Sequence, residues 1–270
     1  MIAFVIPKKI HFCYGLAPDF GGKPFSFVHW AAVHSASLFH PDWEINFWYE
    51  HKPEGYYLEH IEHLIRPRQI KAPDNIFGQP LLHVAHKSDV LRLRILIEEG
   101  GFFLDMDTIT VGSLESLRGN RFVIGEETTD EYGFEGLCNA VMGAEAGSQF
   151  ARAWLDTYKT FRSQGRDQYW NEHSVVIPAK LSQSLCEHIT ILPPDRFLKP
   201  DWTPSGIEEL FVSKRAYPNA LVHHLWEQAS WDLLGQIDEH NVFERAESTY
   251  TSLVIKILKE RVDDLLRRSH

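Results

Sequence analysis

The stretch KSDVLRLRILIEEGGFFLDMDT, from Lys87 to Thr108, decides the fold of this 270-residue chain. Its first half has helical periodicity, because Val90, Leu93 and Ile97 fall on one face. A Gly-Gly break then precedes three apolar residues, which predicts a turn followed by a short buried strand. Further segments of helical and strand character alternate before and after it, as in nucleotide-binding α/β domains.

Two aspartates, Asp105 and Asp107, follow the predicted strand. In open α/β sheets ligands bind at the carboxyl ends of strands, and strand alternation is expected to point both carboxylates to one side. Carboxylate oxygens are ligands that Mg²⁺ and Mn²⁺ prefer. A cation held there can neutralise the charge on a diphosphate leaving group. The motif therefore predicts a metal and diphosphate site.

Asp89 and Arg92 lie upstream, where Ser88 and Asp89 are expected to start a helix. A spacing of three residues places Asp89 and Arg92 on one helical face. One interpretation is structural: an acid favoured by the helix dipole and paired with the arginine. The other is a pair that contacts a ligand. The residues alone leave both open.

Other motifs occur in a fixed order along the chain: IPKKIHFCYG from Ile6, HPDWEINFWYE from His40, LCNAVMGAEAGSQF from Leu137, ILPPDRFLKP from Ile191 and ALVHHLWEQASW ending at Trp231. Together with the aspartate stretch they resemble glycosyltransferase family 32, whose sugar-binding region contains a DXD motif, and in particular its bacterial capsule and lipopolysaccharide transferases. The resemblance implies a GT-A-type fold, a Rossmann-like mixed α/β sheet flanked by helices. Residues 1–240 would form this domain, and residues 241–270 an amphipathic helix packed on the domain or on a partner.

The resemblance also implies roles for individual residues. Asp107 would ligate the metal, Asp105 would contact the metal and the donor ribose, and Asp89 and Arg92 would contact the donor sugar and ribose. Asp89, Arg92 and Asp107 are therefore the expected catalytic residues. Further donor-binding positions are expected at Ile10, His11, Phe12, Trp48, Phe103, Asn139, Ser230 and Trp231.

The closing signature of the family implies one more metal ligand, His223 or His224. We favour His223, the first histidine of the signature. Ser230 and Trp231 are expected to close over the diphosphate. The chain departs from the family at Phe103, where a tyrosine is common, so a hydroxyl contact made there by relatives would be missing.

These features predict a metal-dependent transferase that moves a hexose from a nucleotide-diphosphate sugar to a hydroxyl of a glycan or glycolipid in surface polysaccharide synthesis. The resemblance implies retention at the anomeric carbon, by same-face attack assisted by the departing diphosphate. Mn²⁺ or Mg²⁺ is the expected cofactor, and UDP-sugars are favoured over GDP-sugars as donors. In the loop predicted from Glu126 to Gly136, Glu126 or Glu127 would orient the acceptor.

Two alternatives use the same residues differently. In haloacid-dehalogenase-like phosphatases a D-x-D strand carries an aspartate nucleophile and a general acid. That family has Thr or Val two residues after the second aspartate, where this chain has Ile109. The other alternative is a sugar-nucleotide-binding protein that lacks turnover.

The amino-acid composition limits the kinds of partner that this chain is expected to bind. With 37 acidic and 27 basic residues the formal charge is −10, and no basic stripe suits nucleic acid. The three cysteines form no close pair, which predicts reduced thiols. No apolar run approaches the roughly 20 residues that cross a bilayer. A cytoplasmic protein is expected, whose C-terminal helix is a candidate contact with the inner face of a membrane or with a second copy.

Overall fold

The computed structural model describes residues 4–129 and 133–268, with side chains described for all of these except residues 134 and 262–268. Its strands are β1 (Lys9–Cys13), β2 (Glu44–Tyr49), β3 (Arg66–Gln69), β4 (Asn75–Ile76), β5 (Gln79–Pro80), β6 (Gly101–Leu104), β7 (Thr108–Thr110), β8 (Phe122–Thr129), β9 (Gly133–Ala144), β10 (Thr190–Leu192) and β11 (Val222–His224). Its α-helices are α1 (Phe27–Phe39), α2 (Tyr56–Glu59), α3 (Val84–Glu99), α4 (Gln149–Asp156), α5 (Ile177–Ser184), α6 (Pro204–Phe211), α7 (Glu227–Leu234) and α8 (Thr249–Arg268).

A seven-stranded mixed sheet organises the molecule, in the order β10-β8-β9-β6-β1-β2-β3. Strand β1 runs parallel to β2 and β6, whereas β9 is antiparallel to both β6 and β8. Strands β7 and β11 form a separate antiparallel pair. Strand β7 directly follows the turn of residues 105–107, which we call the DXD turn. Helices flank the sheet, and this confirms the predicted mixed α/β class.

Strand β6 is buried on both faces, as its apolar residues predict. Phe102 and Phe103 are fully buried and belong to different hydrophobic clusters, because successive strand residues point to opposite faces. Gly101 has φ +101°, and a Cβ there would lie 2.8 Å from the carbonyl oxygen of Lys9. Only glycine fits this close approach, so the Gly-Gly pair joins α3 to β6 without a longer loop.

Helix α3 begins earlier than predicted. Its N-cap is His83, whose Nδ1 accepts a hydrogen bond from the Ala85 N–H at 3.1 Å. Asp89 therefore lies in the second turn and is buried rather than at the helix N-terminus. Because the helix dipole acts mainly on the first turn, the dipole interpretation of Asp89 is wrong.

Two predicted loops contain strands. The segment from Arg66 to Gln79, whose prolines Pro67 and Pro73 predict a loop, includes β3 and β4, and β3 is held by its parallel pairing with β2. The predicted loop from Glu126 to Gly136 consists mostly of the β8–β9 hairpin, while residues 130–132 lie outside the described residues. The predicted loop residues show no apolar alternation. Their conformation was decided by pairing with a neighbouring strand, which is β2 for β3 and the other arm of the hairpin for β8 and β9.

Helix α8 packs on the domain through its described first half. The hydroxyl of Ser248 accepts a hydrogen bond from the Thr251 N–H at 3.2 Å and so caps the helix. Tyr250, Val254 and Ile257 are buried, and the helix contacts α1 and α6. Phe243, within the predicted helical segment, precedes the helix and is 57% exposed. No helix within residues 4–129 and 133–268 has the length and apolarity to span a membrane.

Candidate active site

A cavity of about 610 Å³ opens where β1 and β6 end. Its walls come from the residues after β1, the first half of α3, the DXD turn, the β8–β9 hairpin and the start of α7. This volume is in the range of small-molecule sites, and the position is the carboxyl edge of the parallel strands, where α/β sheets bind ligands.

Asp105 and Asp107 stand on a turn, because β6 ends at Leu104. The Asp105 N–H donates to the carbonyl of Ala140 at 2.8 Å, and the Thr108 hydroxyl donates to the carbonyl of Asp105 at 2.7 Å. These bonds fix the turn and bring the two carboxylates together. The two carboxylates lie close together, as predicted. The turn places them there, and strand alternation, on which the prediction rested, does not.

The two carboxylates meet an imidazole. Asp105, Asp107 and His224 each offer one ligand atom, and these atoms all lie within 4.8 Å of one another. The Nε2 of His224 is 3.2 Å from Oδ2 of Asp107, and Nδ1 of His224 is buried with no hydrogen-bond partner among the described residues. Two carboxylates and one imidazole are a donor set that suits Mn²⁺ or Mg²⁺.

The preference for His223 as a metal ligand is corrected by the geometry. On β11 the two histidines point to opposite faces. His224 pairs with Thr108 of β7 and so lies beside the DXD turn. His223 is buried elsewhere, where its Nδ1 contacts the carbonyl oxygen of Lys199 at 2.9 Å and its ring packs on Tyr217.

The charges of Asp105, Asp107 and His224 favour the binding of a cation between them. Burial raises the pKa of Asp105 to about 6, and the adjacent Asp107 carboxylate adds to this rise. Burial also acts to raise the pKa of Asp107, but His224 and the Glu227 N–H, which donates at 2.7 Å, outweigh it and hold that pKa low. Burial would lower the pKa of His224, but Asp107 raises it overall. A divalent cation would relieve the repulsion between the carboxylates.

Arg92 anchors this wall of the cavity. Its guanidinium contacts both carboxylate oxygens of Asp105, at 2.9 and 3.3 Å. It also donates to the carbonyl of Asn139 at 2.7 Å and to the hydroxyl of Ser88 at 2.9 Å. The face of the guanidinium lies over the Phe103 ring, 4.8 Å from its centroid. Arg92 is therefore held rigidly and fixes the orientation of Asp105.

Asp89 lies next to Arg92 in a buried hydrogen-bond network. Its Oδ1 accepts from Nδ2 of Asn139 at 2.8 Å, and its Oδ2 lies 3.4 Å from Nδ1 of His86. Burial acts to raise the pKa of Asp89, but His86, Arg92 and Asn139 together lower it. Nε2 of His86 in turn contacts the Ser163 hydroxyl at 3.0 Å. His86 and Ser163 were missed, since nothing in the sequence pattern links them.

Five predicted donor-binding residues are absent from the described cavity lining: Ile10, His11, Phe12, Trp48 and Phe103. They are buried in the sheet instead. His11 contacts the carbonyl oxygen of Gly100 at 2.8 Å and accepts from Nε1 of Trp48 at 3.2 Å, and burial lowers the pKa of His11 to about 4. These residues brace the strands whose ends form the site, and their direct contact with the donor stays a prediction.

Ser230 and Trp231 also lie outside the described lining, whereas Asp89, Arg92, Asp105 and Asn139 belong to it. The Ser230 hydroxyl donates to the carbonyl of Leu225 at 2.7 Å and so fixes the turn that leads into α7. Trp231 has the ammonium of Lys23 5.1 Å from its ring centroid. Their closure over a diphosphate stays a prediction.

Several lining residues were missed. Glu227 connects three parts of the site: its N–H donates to Asp107, and its carboxylate pairs with Lys23 at 2.7 Å and His29 at 3.1 Å. The Tyr14 ring stacks with Phe20 at 5.6 Å on another part of the wall. The only sequence signal for these residues was the position of Tyr14 in the first motif, because the other contacts are long-range.

Exchanging the two histidines for alanine separately tests the ligand assignment. We expect His224→Ala to weaken Mn²⁺ binding by about tenfold or more, because a contact to the cation is lost. His223→Ala serves as the matched control and is expected to leave Mn²⁺ affinity within about twofold, at some cost in thermal stability. The Mn²⁺ affinity of each variant is measured by electron paramagnetic resonance titration of free Mn²⁺. Equal losses of affinity, or a loss only in His223→Ala, would overturn the assignment.

Comparison with known proteins identifies relatives. Residues 28–124 match the family model described as glycosyltransferase sugar-binding region containing DXD motif. Glucan organizing enzyme 1 of Cryptococcus neoformans var. grubii serotype A is 28% identical over 279 residues, which covers 98% of this chain and 74% of that protein. An uncharacterized Arabidopsis thaliana protein is 40% identical over 88 residues, 30% of this chain and only 13% of that protein.

The fold of this chain is also similar to that of a solved structure. The PaToxG glycosyltransferase superposes with a TM-score of 0.50 at 18% identity, over 67% of this chain and 71% of that one. At this identity the likeness shows the fold alone, and it confirms the GT-A-type architecture expected from the sequence.

Proposed function

We propose that this protein transfers a hexose from a nucleotide-diphosphate sugar to a glycan hydroxyl, because residues 28–124 match the model of the glycosyltransferase sugar-binding region containing DXD motif. One observation carries the proposal. The two aspartates of the motif converge with His224 at the wall of a cavity large enough for such a donor. The name of the Cryptococcus relative, Glucan organizing enzyme 1, supports a glycan as the acceptor class.

Asp105, Asp107 and His224 would hold a divalent cation, Mn²⁺ or Mg²⁺, which when bound supplies Lewis-acid stabilisation of the diphosphate leaving group. The protein's own contribution is positioning. Arg92 holds the Asp105 carboxylate in place through two contacts, and the Glu227 N–H holds Asp107. Because these groups are fixed before the donor binds, little reorganisation is needed during the reaction.

The residues that line the cavity support one orientation of the bound donor. The stacked rings of Tyr14 and Phe20 offer an apolar surface for a nucleobase. Lys23 lines the same wall, but its ammonium is paired with Glu227, so the bound cation would supply most of the positive charge for phosphate oxygens. The sugar would then point towards Asp89 and Asn139. We propose UDP-sugars as donors, with GDP-sugars as the alternative.

We propose that transfer retains the anomeric configuration by same-face attack. The acceptor oxygen forms a bond to the anomeric carbon while the bond from that carbon to the diphosphate oxygen breaks. The electron pair stays on the diphosphate, and the proton of the acceptor hydroxyl passes to a diphosphate oxygen. No protein nucleophile is required. A covalent sugar adduct on the protein would contradict this mechanism.

A donor panel tests the proposed function. Purified protein is incubated with UDP- and GDP-hexoses, with Mn²⁺, with Mg²⁺ or with a chelator, and the release of nucleoside diphosphate is measured. We expect metal-dependent release from one donor, because water can replace the acceptor. Nuclear magnetic resonance of the transfer product would show the anomer.

The same panel separates the alternatives. Phosphate release from simple phosphoesters with an aspartyl-phosphate intermediate would support a phosphatase, and donor binding without turnover would support a binding protein. The structure does not favour the phosphatase. Asp105 and Asp107 converge with His224 as a set of metal ligands rather than as a nucleophile and a general acid.

A further inference from the structure

We propose that Glu127 of β8 binds the acceptor, by accepting a hydrogen bond from a hydroxyl of the acceptor sugar. This assignment rests on the proposed function and deepens it, because it makes the β8 wall of the cavity the acceptor subsite. The sequence left Glu126 and Glu127 as equal candidates, and the structure distinguishes them.

Backbone geometry directs Glu127 into the cavity. Glu127 lines the cavity and is only 8% exposed, whereas Glu126 is not among the described residues that line it. Register irregularities in the β8–β9 pairing lie between Ile124 and Gly125 and again between Glu127 and Thr128. Bulges of this kind occur next to active sites, where they re-aim side chains.

Within the described residues, the carboxylate of Glu127 forms no ion pair. Its Oε1 accepts a hydrogen bond from Nε1 of Trp202 at 3.1 Å, and the Cys138 thiol donates a second bond. Both donors are neutral. His224 acts on Glu127 electrostatically, but no described side chain within residues 4–129 and 133–268 forms an ion pair with Glu127 at contact distance. A carboxylate has about four acceptor positions, so capacity remains for a ligand.

Burying a carboxylate that has no ion-pair partner costs free energy of folding. Burial raises the pKa of Glu127, which reports the same cost. In contrast, the buried carboxylates of Asp105 and Asp107 each form an ion pair at contact distance, with Arg92 and His224 respectively. A hydroxyl-rich ligand that donates to Glu127 would offset this cost, and sugars are ligands of this type.

The position of Glu127 assigns it to the acceptor rather than to the nucleotide. In the sheet, β9 and β6 separate β8 from β1, so strands β8 and β1 lie about 14 Å apart at the usual strand spacing. The Tyr14–Phe20 surface follows β1, and the DXD turn follows β6, between the two ends. A donor that spans from β1 to the DXD turn leaves the β8 wall, with the Trp202 indole, for the acceptor sugar.

The test compares Glu127→Gln with its neighbour Glu126→Gln as the matched control. Donor hydrolysis is measured without acceptor, and transfer is measured to a panel of p-nitrophenyl α- and β-hexosides. Wild-type protein is expected to use at least one glycoside. In Glu127→Gln we expect the KM for that glycoside to rise about tenfold, since a hydrogen bond to a charged group is weakened, while donor hydrolysis stays within about twofold. Glu126→Gln is expected to match the wild type in both assays.

Each other outcome is informative. An equal fall of hydrolysis and transfer in Glu127→Gln would overturn the assignment, because Glu127 would then act on the donor or on folding. An unchanged KM would overturn it as well, as would a wild-type protein that hydrolyses the donor but uses none of the glycosides. A wild-type protein that neither binds nor hydrolyses any donor would instead refute the proposed function.

Discussion

Replacing Asp107 with asparagine is expected to lower metal-dependent turnover of the donor by about a thousandfold or more. Asp107 is one of three side chains that converge as ligands, and its low pKa keeps it ionised at neutral pH. Loss of metal-derived charge stabilisation of roughly 4 kcal/mol corresponds to about this factor. The asparagine oxygen can still accept the Glu227 N–H, so the fold is expected to persist.

Three measurements define the Asp107 result: nucleoside diphosphate release, Mn²⁺ binding by electron paramagnetic resonance, and the thermal midpoint. Asp156→Asn is the control, because Asp156 is an exposed carboxylate paired with Lys159 outside the described cavity lining. Turnover in Asp107→Asn close to that of Asp156→Asn would refute a role for the DXD carboxylate. A collapse of the thermal midpoint would mean that the loss of activity reflects unfolding.

Arg92→Met is expected to destabilise the protein by about 3–5 kcal/mol as well as to abolish turnover, because removing one partner leaves buried charges uncompensated. Asp105 and Asp89 would lose their cationic neighbour, and the carbonyl of Asn139 would lose its donor. For a chain of this size the thermal midpoint would fall by about 10 °C. Arg92→Lys keeps the charge but cannot form both contacts to Asp105, so an intermediate loss is expected.

Arg94→Met is the matched control for Arg92, because Arg94 lies on the same helix but is exposed. Calorimetry and chemical denaturation measure the stability of both variants. A change of less than about 0.5 kcal/mol in the control is typical of exposed positions. A similarly small change in Arg92→Met would show that the buried network contributes little, and turnover that survives the change would remove Arg92 from the catalytic assignment.

Local patterns were sufficient for much of the site. Glu44–Tyr49, inside the motif that starts at His40, is observed as a strand, because its apolar residues and the preceding Pro-Asp turn are local signals. Asp89, Arg92, Asp105 and Asn139 line one cavity, as the resemblance implied. The alternative structural interpretation of Asp89 depended on a helix start that the sequence misplaced, because a histidine cap at His83 is an uncommon signal.

Contacts between distant segments were not predictable. His11 and Trp48 are separated by 37 residues and meet through a single hydrogen bond inside the sheet. Glu227 reaches Lys23 across 204 residues. Such pairs depend on the packing of whole elements, so no local pattern at either residue indicates them.

The sequence by itself determined the α/β class, the buried strand before the DXD turn and the resemblance to the DXD glycosyltransferases, because periodicity, glycine conformation and short motifs are local properties. The tertiary structure alone decided that His224 rather than His223 joins the aspartates, since the phase of β11 depends on its pairing with β7. It also decided that Glu127 rather than Glu126 faces the cavity, because the irregular β8–β9 register sets which side chain points inward. A one-residue change of phase reverses the face of every strand residue, and only the partner strand fixes that phase.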